Sequence, residues 1–297
     1  MSERIIVLGI MRSGTSLTAD LVRQWGAFAG AEKDLWKSDP ADPRGYGYME
    51  YIPLQDLNDE LLDHNDRIPP PRDVLEQRAS EPDFFKKASY LIRGMDEQSR
   101  ENRFDAWVWK DARLPLTLPF WVNFWDDPIF IITVRHPAEV ILSSTRTEEV
   151  DQESIPFSAG FAYWQYCMLN ILTFTQESRR KIFIAYDQLL DQPSQECARL
   201  CQFLDEQSGR SGEGLQGRIE TMSNQVARNQ RHHHCEKSLA EMEQVTREQR
   251  ALYNFLRVKI MYPHESFVKE DFSLYPGWRE YLQAMDMLLM LSKPQQA

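Results

Sequence analysis

The sequence predicts an α/β fold in three layers, with a mainly parallel central sheet and a largely helical C-terminal half. Four short runs rich in β-branched and aromatic residues, 4–10, 107–110, 129–134 and 181–185, have the continuous apolar character of strands buried on both faces. Helical patterns separate them, so each strand leads into a crossover and its partner runs parallel. The 297 residues, 42% hydrophobic and 27% charged, have an ordinary globular composition and read as a single domain over 1–297.

The first run leads directly into the turn GIMRSGTS, then a helix carrying Leu17, Leu21 and Val22 on its apolar side. Residues 35–78 depart from the pattern, with Pro, Asp and Gly clustered at Asp39, Pro40, Asp42, Pro43, Gly45 and Gly47, and again at Pro69, Pro70 and Pro71. This opens a long excursion, 35–105, containing a short helix at about 54–62. Excursions of this length are uncommon in compact domains unless they serve a function. Further on, 157–177 places Phe161, Trp164, Met168 and Ile171 on one helical face, and 186–204 reads as a second amphipathic helix. Residues 207–217, rich in Ser and Gly, read as an irregular, mobile connection.

With 45 acidic against 34 basic side chains the net charge is −11 and the pI near 5.1. A dedicated nucleic-acid binder normally carries a basic excess, so that class is disfavoured, whereas a small anion in a local pocket is not. No stretch reaches the roughly 20 apolar residues of a membrane span, and the apolar run before Arg12 is too short for a secretory signal. Cys167, Cys197, Cys201 and Cys235 form no CxxC pair and read as free thiols in a reducing, cytoplasmic setting. Cys197 and Cys201 share a helix face, as packing residues do.

The chemistry concentrates at strand ends. Gly9 and Gly14 stand at the spacing of a Walker A loop, and a strand–turn–helix of this kind aims backbone N–H groups at phosphate oxygens. Thr15 occupies the lysine position, and the nearest cation is Arg12, inside the loop. A P-loop kinase or NTPase needs that lysine and an acidic residue for Mg²⁺, so this class is disfavoured. After the third run, Arg135 stands at the strand mouth, Pro137 suits a helix start, and Ser143 lies on the same helix face as His136. A guanidinium and a hydroxyl here make a second anion site or, more plainly, a surface ion pair.

These residues resemble the sulfotransferase family that uses 3′-phosphoadenosine 5′-phosphosulfate. GIMRSGTS resembles its 5′-phosphosulfate loop, Arg135 with Ser143 its 3′-phosphate site, and Tyr186 in IFIAYDQLLDQP its tyrosine after a later strand. The likeness spans about 4–205 and is nearest to the branch with an RSGTS loop; WKDAR at Trp109 to Arg113 resembles that branch's WKDPR with Ala112 for proline. The histidine that cytosolic small-molecule members use as base is absent.

The resemblance implies a metal-free transfer of a sulfuryl group to a hydroxyl of a small-molecule, lipid or glycan acceptor, with the long excursion covering the acceptor side. The alternatives are the kinase or NTPase above and a non-catalytic nucleotide-binding relative. Arg12, Ser13, Gly14, Thr15 and Ser16 would hold the 5′ end, and Arg135, Ser143 and Tyr186 the 3′-phosphoadenosine half. A late arginine, Arg228 or Arg231, would fold over the 3′-phosphate. Lys110 would meet charge on the leaving oxygen or, alternatively, is an exposed strand-end lysine. Glu50, Asp111 and His136 are candidates for the base; the family's carbohydrate and tyrosine branches use a glutamate, and Glu50 is preferred because a carboxylate in a closed, aromatic-lined site can have its pKa raised toward working pH, while Asp111 reads as a structural partner of Lys110. The run at His232, His233 and His234 reads as a polar loop, since adjacent side chains rarely converge on one ion. Trp36, Tyr46, Tyr48, Tyr51, Trp107 and Trp109 are core or acceptor-lining, Tyr46 and Tyr48 being the least core-like. With Arg12, Lys110 and Arg135 all at strand ends, an acidic exterior surrounds a basic cleft, and nucleotide binding is expected to be salt-sensitive.

Overall fold

A computed structural model describes residues 2–36, 49–63, 70–145, 157–226, 235 and 238–264. Four parallel strands form the sheet: β1 (Glu3–Leu8), β2 (Ala106–Lys110), β3 (Ile129–Val134) and β4 (Lys181–Ala185), in the order β2-β1-β3-β4. The first strand is shorter than 4–10, because the chain turns at Gly9, leaving Gly9 and Ile10 in the loop.

Alternation along each strand sorts the apolar side chains into two cores. Ile6, Leu8, Trp107, Trp109, Phe130, Ile132 and Phe183 face one layer of helices. That layer holds α2 (Ile52–Leu61), α3 (Arg72–Arg78), α4 (Pro82–Glu101), α5 (Leu114–Trp121), α7 (Phe157–Thr175) and α11 (Arg247–Met261). Ile5, Val7, Val108, Ile131 and Ile184 face the other, made by α1 (Thr15–Trp25), α8 (Tyr186–Asp191), α9 (Pro193–Ser208) and α10 (Leu215–Gln225). Burial on both faces is why the strands read as continuous apolar runs. The short α6 (Pro137–Thr145) follows β3.

The helix expected over 186–204 is two helices. Pro193 cannot donate to the preceding turn, so α8 stops at Asp191 and the proline opens α9. Within 207–217 the irregular connection is 209–214, from Gly209, in left-handed conformation after α9, to Gly214, which precedes α10; 207–208 and 215–217 belong to those two helices. Cys167, Cys197 and Cys201 are buried, and all four thiols are unbridged. Burial pushes Cys197 up to about 11 and Cys167 up to about 12, as for packing residues.

The strand order decides where a ligand can sit. From β1 the chain crosses to β2 on one side, then returns over β1 to β3 on the other. Crossovers that diverge from β1 and β3 open a crevice at the carboxyl ends of those two strands. Gly9 and Arg135 are the first residues past those ends.

Candidate active site

The β1 loop is folded onto β3. A Cβ on Gly9 would lie 2.0 Å from Thr133 Oγ1, so the residue has to be glycine for β3 to approach. Ser13 Oγ donates to the Ile10 carbonyl at 2.6 Å and lies 2.8 Å from Thr133 Oγ1, closing the turn. Thr133 was not legible as a site residue, although a hydroxyl one position before the end of a buried apolar strand was the available signal. Gly14 has φ 94°, and a Cβ there would meet Tyr186 Cδ2 at 2.3 Å. Helix α1 then starts with no side-chain cap and no acidic residue in its first turn, so its N-terminal partial charge is not offset locally.

Arg12 takes a left-handed φ of 65°. Its carbonyl accepts from Arg135 Nη1 at 2.9 Å and its own Nε donates to Ser143 Oγ at 3.0 Å. Arg135 pairs with Glu139 at 3.1 Å and stacks over the Tyr186 ring at 4.5 Å. Arg12, Arg135, Ser143 and Tyr186 thus meet across β1, β3 and β4, and Ser143 reaches Arg12 rather than Arg135. The other oxygen of Glu139 accepts from the Cys235 backbone N–H at 3.2 Å. Arg228, Arg231, the three histidines, Tyr46 and Tyr48 lie outside the described residues.

A second polar centre lies at the end of β2. Lys110 Nζ meets Glu50 Oε1 at 2.8 Å, and the Ala112 N–H reaches the same oxygen at 3.4 Å. Lys110 is 3% exposed, so its reading as an exposed strand-end lysine is overturned: Glu50, arriving from the excursion, covers the end of β2. Glu50 is set by short antiparallel pairing: Leu35 bridges Tyr51, and the Trp36 N–H donates to the Glu50 carbonyl at 2.8 Å.

Asp111 does not partner Lys110, as the sequence suggested. It accepts from the Arg113 N–H and from Asn58 Nδ2, each at 2.8 Å. Burial pushes the Asp111 carboxyl up, against the downward pull of Arg113. His136 sets its ring edgewise to Tyr253 of α11, with centroids 5.3 Å apart. Burial raises that tyrosine to about 12. Tyr51, Trp107 and Trp109 are core, and Trp36 is exposed.

Among the described residues, no group of His, Cys, Asp and Glu gathers as metal ligands, and no helix is long and apolar enough to cross a membrane.

Fold and site together define a three-layer α/β protein with a glycine loop at the switch point of its sheet. Residues 4–208 match the model of the sulfotransferase family, more than half of the chain, and the protein belongs to that family. The matched span opens in β1 and closes at the end of α9, so it contains the whole sheet. Among solved structures, the chain is similar to the sulfotransferase domain from the curacin biosynthetic pathway, at 18% identity and TM-score 0.46, over 86% of this chain and 98% of that one. It is also similar to the sulfotransferase domain from the Synechococcus PCC 7002 olefin synthase, at 17% identity and TM-score 0.46, over 99% and 96%. A comparison with curated proteins found no match.

Proposed function

We propose that the chain transfers a sulfuryl group from 3′-phosphoadenosine 5′-phosphosulfate to a hydroxyl of a small-molecule, lipid or glycan acceptor, as a member of the RSGTS-loop branch. The observation that carries this reading is the pair of cations Arg12 and Arg135 at the ends of β1 and β3, with Lys110 at the end of the neighbouring β2, beside a glycine loop that lacks the Walker lysine. A donor with phosphosulfate at one end and a 3′-phosphate at the other needs positive charge at two separated points. Arg12 and Arg135, linked through the Arg12 carbonyl, supply it. The close approach at Gly9 and the uncapped start of α1 suit phosphate oxygens, so the residues fit this donor.

When bound, the donor supplies an activated sulfuryl group on a phosphate leaving group. Arg12, Ser13, Gly14, Thr15 and Ser16 hold its 5′ end, and Arg135, Ser143 and Tyr186 its 3′ half, with Arg231 as a further candidate. Glu50 serves as base. Both of its hydrogen bonds fall on Oε1, leaving Oε2 without a partner among the described residues to take the acceptor proton. Lys110 orients that carboxylate while its own charge faces the charge developing on the leaving group.

The test is transfer from radiolabelled donor to the hydroxyl compounds of a metabolite extract. Label in an organic sulfate ester, lost in Lys110→Met, supports the reading; label remaining in donor or inorganic sulfate with every acceptor contradicts it.

A further inference from the structure

Behind the Lys110–Glu50 pair stands Asn58 of α2, fully buried. Its Oδ1 accepts from Trp121 Nε1 at 2.7 Å and from Thr117 Oγ1 at 2.8 Å, both on α5. Its Nδ2 donates to Asp111 Oδ2 at 2.8 Å. An indole N–H can only donate and a carboxylate can only accept, so the residue between them has to accept on one side and donate on the other, as the Asn58 amide does. Through Asp111 the link reaches the turn after β2: Asp111 Oδ1 holds the Arg113 N–H at 2.8 Å, and Arg113 pairs with Asp59 of α2 at 2.5 Å. That turn carries Ala112 N–H, and Lys110 precedes it; both meet Glu50 Oε1.

We infer that Asn58 is a positioning residue, which fixes the 111–113 turn through Asp111 and thereby sets the Lys110–Glu50 pair. The inference rests on reading that pair as the reacting centre. It makes α2 a structural reference for the base and the cation together, since the helix follows directly after Glu50 and also grips the end of β2.

Two substitutions in the full chain separate positioning from mere stability. Asn58→Asp keeps the acceptor for Trp121 and Thr117 and loses the donor to Asp111. Thr117→Val loses one bond to Asn58 and keeps that donor. The readout is the rate at which acetic anhydride acylates Lys110, followed by peptide mass spectrometry. Asn58→Asp should label at least ~5-fold faster than wild type, with turnover lowered and donor KM unchanged, whereas Thr117→Val should label at the wild-type rate. Unchanged Lys110 protection in Asn58→Asp, or an equal rise in Thr117→Val, overturns the inference. If Asn58→Asp does not fold, or keeps the link by sharing a proton with Asp111, Asp111→Leu removes the acceptor for Asn58 Nδ2 and is read by the same criterion. Labelling needs no donor or acceptor, so a wild type that neither binds 3′-phosphoadenosine 5′-phosphate nor transfers would refute the proposed reaction while the labelling still decides the positioning.

Discussion

The loop after β1 and the turn after β2 bring charge to the same end of the sheet, but they are built in opposite ways. The β1 loop is made by backbone and near neighbours: Gly9, Gly14 and the Ser13–Ile10 bond lie within a few residues, and neighbouring strands only close over them. The β2 turn is made by side chains from far along the chain, Glu50 being 60 residues from Lys110 and Asn58 being 53 from Asp111. A backbone-made site fails when a side chain is added to it. A side-chain-made site fails when one partner is removed, because the other is left buried and unpaired.

The largest effect is expected at the β2 turn. Glu50→Gln should lower turnover by about 10²–10⁴-fold while leaving the stabilisation by 3′-phosphoadenosine 5′-phosphate intact. A fully active variant removes Glu50 as base. In the β1 loop, Gly14→Ala forces a Cβ to 2.3 Å from the Tyr186 ring at a φ unfavourable for alanine. Urea unfolding should show a loss of about 2–4 kcal/mol, together with weakened nucleotide binding. Wild-type stability would show instead that Tyr186 yields easily.

Arg135→Ala joins the two descriptions, since this residue stands at the end of β3 and its side chain holds the Arg12 carbonyl. Titration calorimetry should show the 3′-phosphorylated nucleotide losing at least ~10-fold more affinity than its 3′-dephosphorylated analogue. The analogue should lose a little as well, through the freed loop. Equal losses would make Arg135 a loop support alone.

The smallest effect lies at the opposite, amino end of the sheet, where a cation has a structural task. Lys181 donates to the Thr175 and Gln176 carbonyls at the end of α7, each at 2.7 Å. Burial first, and the nearby Lys259 second, bring its pKa down to about 8. Between about 8 and the ordinary 10.5, the unfolded chain holds a proton that the folded protein has released, so stability rises with pH. The Tm of wild type relative to Lys181→Met should therefore increase across that window and stay flat below it. A constant difference would show that Lys181 titrates normally.

The same contrast explains what was legible in the sequence. Strands buried on both faces announce themselves, and a turn whose parts lie within eight residues does too, which is why β2, β3, β4 and the glycine turn between β1 and α1 were legible. Asn58 and the true partners of Asp111 were not, because nothing local in α2 says which strand end it grips. Lys110 carries no mark of burial in the sequence; its surroundings are set by Glu50, which arrives from the excursion. Pro193 was visible as a helix breaker, and reading through it merged α8 with α9.

We propose that the crevice between β1 and β3 recognises a nucleotide by its 3′-phosphate and without metal. Thermal unfolding of the full chain with 3′-phosphoadenosine 5′-phosphate, and separately with ATP and Mg²⁺, tests it most directly. A concentration-dependent rise in Tm with the former alone, abolished in Arg135→Ala, is the predicted result. Stabilisation by ATP with Mg²⁺ and not by the 3′-phosphorylated nucleotide would contradict it.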